Sequence, residues 1–168
     1  MIWQMNNQNE GFSIIELILV VSILALMTAG AIGGFGYLNM ANASRCVTKI
    51  DSGISVLKSR NMADASATYM HLYKYNGNFY IEYSSDPDYV PANADKGEMI
   101  GNKSLSISYK DGATETELDG GNSCKTFGIR KKDGSFVGTT EPTCEISVTG
   151  QSTHTVTLVT NTGKHFRD

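Results

Sequence analysis

From Leu17 to Leu38 the chain carries no charged side chain, and this run decides most of what it can fold into. A helix of about 22 residues is about 33 Å long at about 1.5 Å per residue. A bilayer's hydrocarbon core is about 30 Å thick and takes about 20 apolar residues. The segment is therefore long enough to span a membrane. A buried core helix would carry a polar face, and Leu17 to Met27 shows almost none. A secretory signal has a basic start and an apolar stretch of about 7–15 residues. Here the start, MIWQMNNQNE, holds no Lys or Arg, and Ala29, Gly30 and Ala31 lead on into more apolar chain. Mean hydropathy over the whole chain is -0.20, which excludes a polytopic membrane protein. The length of 168 residues suits a single globular domain, and a net charge of -3 makes no general case for nucleic acid.

Glu16 does not fit a plain anchor. It sits four residues inside the apolar run that starts at Phe12. A carboxylate in hydrocarbon is costly and marks a functional position. It can snorkel, take up a proton, or meet a positive charge from another chain. Gly11 precedes Phe12. A proteolytic cut after Gly11 would give Phe12 a free, charged amine, one helical turn from Glu16.

Gly11-Phe12-Ser13-Ile14-Ile15-Glu16-Leu17 resembles the cleavage and methylation motif of type IV prepilins and type II secretion pseudopilins. The resemblance implies a leader of residues 1–11, cut by a membrane prepilin peptidase between Gly11 and Phe12. It also implies N-methylation of Phe12 and assembly through Glu16, which would meet the N-terminal amine of a neighbouring subunit. An ion pair at low dielectric is strong once made and costly when half made, so such a contact also sets register. The implied partners are the peptidase, other pilin subunits and a membrane assembly platform. The leader departs from the family in lacking basic residues. The nearest, Arg45 and Lys49, follow the apolar run, and the positive-inside rule would keep the C-terminal part in the cytoplasm. The motif instead implies a single-pass protein of the cytoplasmic membrane with its C-terminal part outside, and the motif is preferred here.

Gly30, Gly33, Gly34 and Gly36 crowd the end of the apolar run. Each costs a helix about 0.5–1 kcal/mol relative to Ala. They either let helices pack closely or form a weak spot where the helix loses order in a filament. Beyond Leu38, Met40, Ala43, Val47, Ile50, Ile54 and Leu57 recur at spacings of three and four, one apolar stripe of a helix. Arg45, Lys49, Asp51, Lys58 and Ser59 line the other side. One helix over about residues 12–67 is expected, apolar over 12–38 and amphipathic over 39–67.

Residues 68–168 read as a globular part. From Tyr75 onward the period becomes two, giving about six strands. Phe79 to Tyr83 and Leu105 to Tyr109 are two of them, the second followed by an Asp111-Gly112 turn. Phe127 and Ile129 pair with Ser135 to Val137 across an Asp133-Gly134 bend. Cys144 to Val148 and Thr153 to Thr160 close the set around Gly150-Gln151. The expected class is α+β, a long N-terminal helix packed against antiparallel sheet, as in the pilin fold. Val156-Thr157-Leu158 with Thr162-Gly163-Lys164 resembles the final hairpin of H-type pseudopilins and related minor pilins, and Ser59 to Ala63 lies where that group carries an alanine-arginine stretch.

Three cysteines are too few for a disulfide scaffold, but an oxidising exterior would allow one bridge. Cys124 with Cys144 is the candidate pair, and Cys46 is the odd thiol. Parity counts against the pair, since Cys144 alternates with Ile146 and Val148 while Cys124 is out of phase with Phe127 and Ile129. His71, His154 and His165 are scattered, without zinc spacing. Asp86, Asp88, Asp95 and Glu98 form an acidic loop without calcium-loop spacing. Lys125, Arg130, Lys131, Lys132, Lys164 and Arg167 would make a DNA-binding patch if they converged, as in competence-type minor pilins; otherwise they are solubilising charge. No nucleophile elbow, phosphate loop or metal motif appears, and no metal or cofactor is expected. The expected role is that of a structural subunit and not an enzyme, in a pilus or secretion filament, with DNA capture as the alternative.

Overall fold

The computed structural model describes residues 13–64, 66–120 and 123–168; of residues 30–40 it describes the helical backbone only. The chain divides into two compact units, Met1–Tyr37 and Leu38–Asp168. One helix, α1, runs from Ile14 to Ala63. Ten strands follow: β1 (Tyr69–Tyr75), β2 (Asn78–Ser84), β3 (Glu98–Gly101), β4 (Ser106–Asp111), β5 (Thr114–Glu117), β6 (Cys124–Ile129), β7 (Phe136–Val137), β8 (Thr143–Thr149), β9 (Thr153–Val159) and β10 (Lys164–Arg167). They form two antiparallel sheets, ordered β3-β2-β1-β6-β7 and β10-β9-β8-β4-β5. The α+β class holds, with more strands than expected.

In the second unit the helix stripe is buried as its spacing predicts. Ala43, Val47, Ile50, Ile54 and Leu57 are at most 1% exposed, and Cys46 joins them at 0%. They share one core with Met70, Leu72, Phe79 and Phe127 of the first sheet and Ile107, Cys144, Ile146, Val148, Val156 and Leu158 of the second. The Tyr83 hydroxyl donates to the Gly53 carbonyl at 3.1 Å, tying β2 to the helix.

The helix stops at Ala63, short of residue 67. Asn61, 1% exposed, explains the stop. Its Nδ2 donates to the carbonyls of Leu57 (3.2 Å) and Thr68 (2.7 Å), and its Oδ1 accepts from the Thr68 N–H (2.8 Å). One side chain thus adds a bond to the last turn and anchors the chain entering β1.

β1, β3, β5 and β10 are the unexpected strands. β1 has no period-two signature because Met70 to Tyr73 are all buried. Met70 and Leu72 face the core, while His71 and Tyr73 lie under the 85–97 loop through Tyr89 and Asn93. Asn76-Gly77, both at positive φ, turn β1 into β2. The expected Asp133-Gly134 hairpin is present, with Gly128 opposite Val137 and Ile129 opposite Phe136.

Candidate functional site

The first described turn of α1 is built around Ser13. Its carbonyl accepts from the N–H groups of Glu16 (3.0 Å) and Leu17 (3.1 Å), and its Oγ accepts from the Ile15 N–H at 3.4 Å. Ser13 is an N-cap with Glu16 three residues on, the spacing of a capping box. Glu16 stands in the first turn, where the helix dipole favours a negative charge. The Ser-x-x-Glu spacing could have shown this in the sequence. Gly11 and Phe12, the expected cleavage pair, lie outside the described residues, as does the rest of the 1–11 leader.

Beyond Glu16 the helix presents apolar side chains on all sides. Ile14 is 81% exposed, and Leu17, Ile18, Leu19, Val21 and Leu24 are all exposed. Its hydroxyls are satisfied within the helix: Ser22 Oγ donates to the Ile18 carbonyl at 2.7 Å and Thr28 Oγ1 to that of Leu24 at 2.9 Å. A helix meant for an apolar environment must satisfy its polar groups in this way. Among the described residues no helix is long and apolar enough to cross a membrane. The described apolar side chains stop at Ala29, and residues 30–38 of the expected span lie beyond them. The backbone is helical through Gly30, Gly33, Gly34 and Gly36.

The cysteines are free thiols, so the bridge expected between Cys124 and Cys144 is not made. Cys124 lies opposite Tyr73 on the face of its sheet that turns away from the core. Cys144 is in the core at 0% exposure, on the other sheet. The parity mismatch is real. Burial pushes the Cys144 thiol up to about 11 and that of Cys46 up to about 12, Lys49 partly opposing the latter. Cys124, also raised by burial, is half-buried with Sγ 4.0 Å from His71 Nδ1.

His71 is the centre of a polar cluster beneath the 85–97 loop. Ser84 Oγ donates to the Asp86 carbonyl (2.8 Å), so it accepts from His71 Nε2–H (2.9 Å). Nδ1 is then the lone-pair nitrogen and accepts from Thr126 Oγ1–H (3.0 Å). Beside it, Glu82, 5% exposed, accepts from the hydroxyls of Tyr73 (3.2 Å) and Tyr89 (3.1 Å). Burial pushes the imidazole below its ordinary value, with Glu82 and Asp86 opposing.

The basic residues divide. Lys125 points between the sheets, 3.3 Å from Asp111 and over the rings of Tyr109 and Phe127. It is no surface cation. Arg167 donates to Thr48 Oγ1 on α1 at 2.8 Å. Arg130 pairs with Asp133 at 3.6 Å, and Lys131 bonds the Asp64 carbonyl. Gly163, at φ +63°, abuts the Gly134 carbonyl. The β9–β10 turn, next to Lys164, therefore touches the β6–β7 hairpin turn that follows Arg130, Lys131 and Lys132.

The acidic loop does not converge. Asp86 Oδ1 accepts from the Asp88 N–H, Asp95 from Asn93 Nδ2, and Glu98 pairs with Lys49 at 3.1 Å. Among the described residues no three His, Cys, Asp or Glu side chains gather where a metal could sit. A cleft of about 420 Å³ beside Lys74, Asn76 and Gly77 is lined, among the described residues, by no His, Cys or Ser.

Residues 6–32 match the model of the prokaryotic N-terminal methylation motif. This match supports the type IV pilin and pseudopilin family for the chain; it covers the N-terminal signal alone and does not reach the H-type features near the C-terminus. No curated protein and no solved structure matches the chain.

Proposed function

We propose that this chain is a prepilin that becomes a structural subunit, a minor pilin or pseudopilin, of a type IV pilus or type II secretion-like filament. Prepilin peptidase removes residues 1–11 and the new amine of Phe12 is methylated. Residues 12–38 hold the subunit in the cytoplasmic membrane until other subunits and the assembly platform take it up. Residues 39–168 form the extracytoplasmic part, where an amphipathic helix segment backs the sheets.

The match over residues 6–32, with Glu16 in the first turn of an all-apolar helix surface, carries this reading. Glu16 offers a neighbouring subunit a carboxylate one turn from its own processed end. The tests are direct. Mass spectrometry of the protein from its native host should find a chain beginning at methylated Phe12. Glu16→Ala should stay in the membrane fraction and drop out of filaments. An intact leader on the mature protein would overturn the reading.

The DNA-capture alternative draws support from one contact, the approach of Gly163 to Gly134, since the two turns that meet there carry Lys164 and Lys132 in sequence. Lys125 and Arg167 do not contribute to it. A salt-sensitive mobility shift with duplex DNA, lost in Lys132→Glu with Lys164→Glu, is its test.

A further inference from the structure

Just past the apolar run, α1 and β3 flank a groove of about 160 Å³ that lies wholly within the second unit. Asn42, Arg45 and Lys49 line it from the helix, at spacings of three and four that put them on one face. Met99, Ile100 and Gly101 line it from β3, and Asn102 closes it. Its two cations differ. Lys49 is satisfied, since it pairs with Glu98 at 3.1 Å and donates to the Met99 carbonyl at 2.7 Å. Arg45 is exposed, and among the described residues nothing pairs with its guanidinium or bonds the Asn42 side chain. Asn102 Oδ1 accepts from the N–H (3.2 Å) and the hydroxyl (2.6 Å) of Ser104, which leaves its Nδ2 as a donor. The groove thus offers one uncompensated positive charge, two amide donors and an apolar wall that includes exposed Met99.

Its place along the helix decides what such a groove meets. Leu38 ends the charge-free run. From there Asn42 lies about 6 Å along the helix axis and Arg45 about 10 Å, at about 1.5 Å per residue. Lipid headgroups fill about 5–7 Å beyond each face of the hydrocarbon core. Helical side chains lean toward the N-terminus, so Arg45 leans back toward that layer, and its long stem carries the charge further. We infer that the groove binds an anionic phosphoglyceride of the membrane, with the Arg45 guanidinium forked onto the phosphate, the Asn42 and Asn102 amides donating beside it, and the glycerol end of the acyl chains against Met99. A planar guanidinium matches phosphate oxygens two at a time. A zwitterionic lipid would bring an ammonium beside Arg45, whereas an anionic one neutralises it. Free phosphate would leave the Met99 wall uncovered. The inference rests on the reading that residues 12–38 hold the chain in a membrane. Bound there, the lipid keeps the waiting subunit at one depth and one rotation.

The test uses the full-length chain, released from membranes in a mild detergent. It is offered equal amounts of phosphatidylglycerol and phosphatidylethanolamine with matched acyl chains, and its intact mass is read by native mass spectrometry. One phosphatidylglycerol should be retained, severalfold over phosphatidylethanolamine. Arg45→Gln should abolish that preference, and so should Asn42→Asp, which sets a carboxylate in the groove. Lys110→Gln, on β4 of the other sheet, should keep it. Arg45 has no partner among the described residues, so Arg45→Gln should retain native circular dichroism. Equal retention of the two lipids overturns the inference, as does a preference that survives Arg45→Gln. An excess of inorganic phosphate should not displace the lipid; displacement would assign the groove to free phosphate and overturn the lipid as its occupant. The same ions show by mass whether residues 1–11 are gone and Phe12 is methylated, so the two readings fail separately. An intact leader overturns the pilin reading, and loss of the lipid preference overturns this one.

Discussion

Asn61 does with one amide what a helix end needs several groups to do. Removing it leaves the part-buried Thr68 carbonyl and N–H without their partner, while the Leu57 carbonyl keeps only its intrahelical bond. An unsatisfied buried polar group costs about 1–3 kcal/mol. Asn61→Ala should lower stability by about 2 kcal/mol, seen as a lower urea midpoint with an unchanged slope. Gly163 is a second single-residue constraint. A Cβ there would overlap the Gly134 carbonyl, and its φ of +63° strains any other side chain. Gly163→Ala should cost about 2 kcal/mol or more. It should also raise amide exchange at both turns, because the two turns rest on each other.

At the scale of elements, legibility in the sequence followed burial on one face. The 43–57 stripe, β4, β8 and β9 each bury one side, and that alternation is visible in the residues, as it is in β2, where Phe79 and Ile81 face the core and only Glu82 is buried on the other side. β1 is buried by the core on one face and by the 85–97 loop on the other, so its pattern is continuous and its polar members read as surface. β5 and β10 are polar edge strands defined by ladder bonds rather than apolar spacing. At the N-terminus, the Gly-Phe-x-x-x-Glu spacing was legible, while Lys125 was misread as a surface charge because its partner Asp111 is distant in sequence. The 85–97 loop has its own signature. Burial pushes His71 below its ordinary value, opposed by Glu82 and Asp86. His165 is pushed down by burial and by Lys58, opposed by Asp51. At neutral pH its 3.3 Å contact with Asp51 is therefore a hydrogen bond from a neutral ring, not an ion pair. Below about pH 6.5 the unfolded chain takes up these protons before the folded one does. Stability present above that pH is then lost as pH falls. The urea midpoint should drop between pH 7 and 5, with at most about 1.4 kcal/mol per pH unit from each histidine. His71→Gln should flatten that slope and leave the His165 share.

At the scale of the molecule, the question is whether the second unit unfolds as one body. Lys125 and Asp111 bind the sheets across the core. Burial pushes the Asp111 carboxyl up, but the Thr140 and Glu141 N–H groups and Lys125 outweigh it and hold the carboxyl below its ordinary value. Lys125→Ala should cost about 2 kcal/mol and loosen both sheets together. The thiols report on this independently. Cys46 lies on α1 and Cys144 on β8, both fully enclosed in the shared core and both held as protonated thiols by burial. A thiol reagent at pH 8 needs thiolate and access, so neither should react in the folded chain. Cys124, half-buried on the other face of its sheet, should react first and without unfolding. In rising urea, Cys46 and Cys144 should become reactive along one common curve, since each opens only when helix and sheets part. Labelling of Cys46 well before Cys144 would mean that the helix detaches while the sheets stay folded.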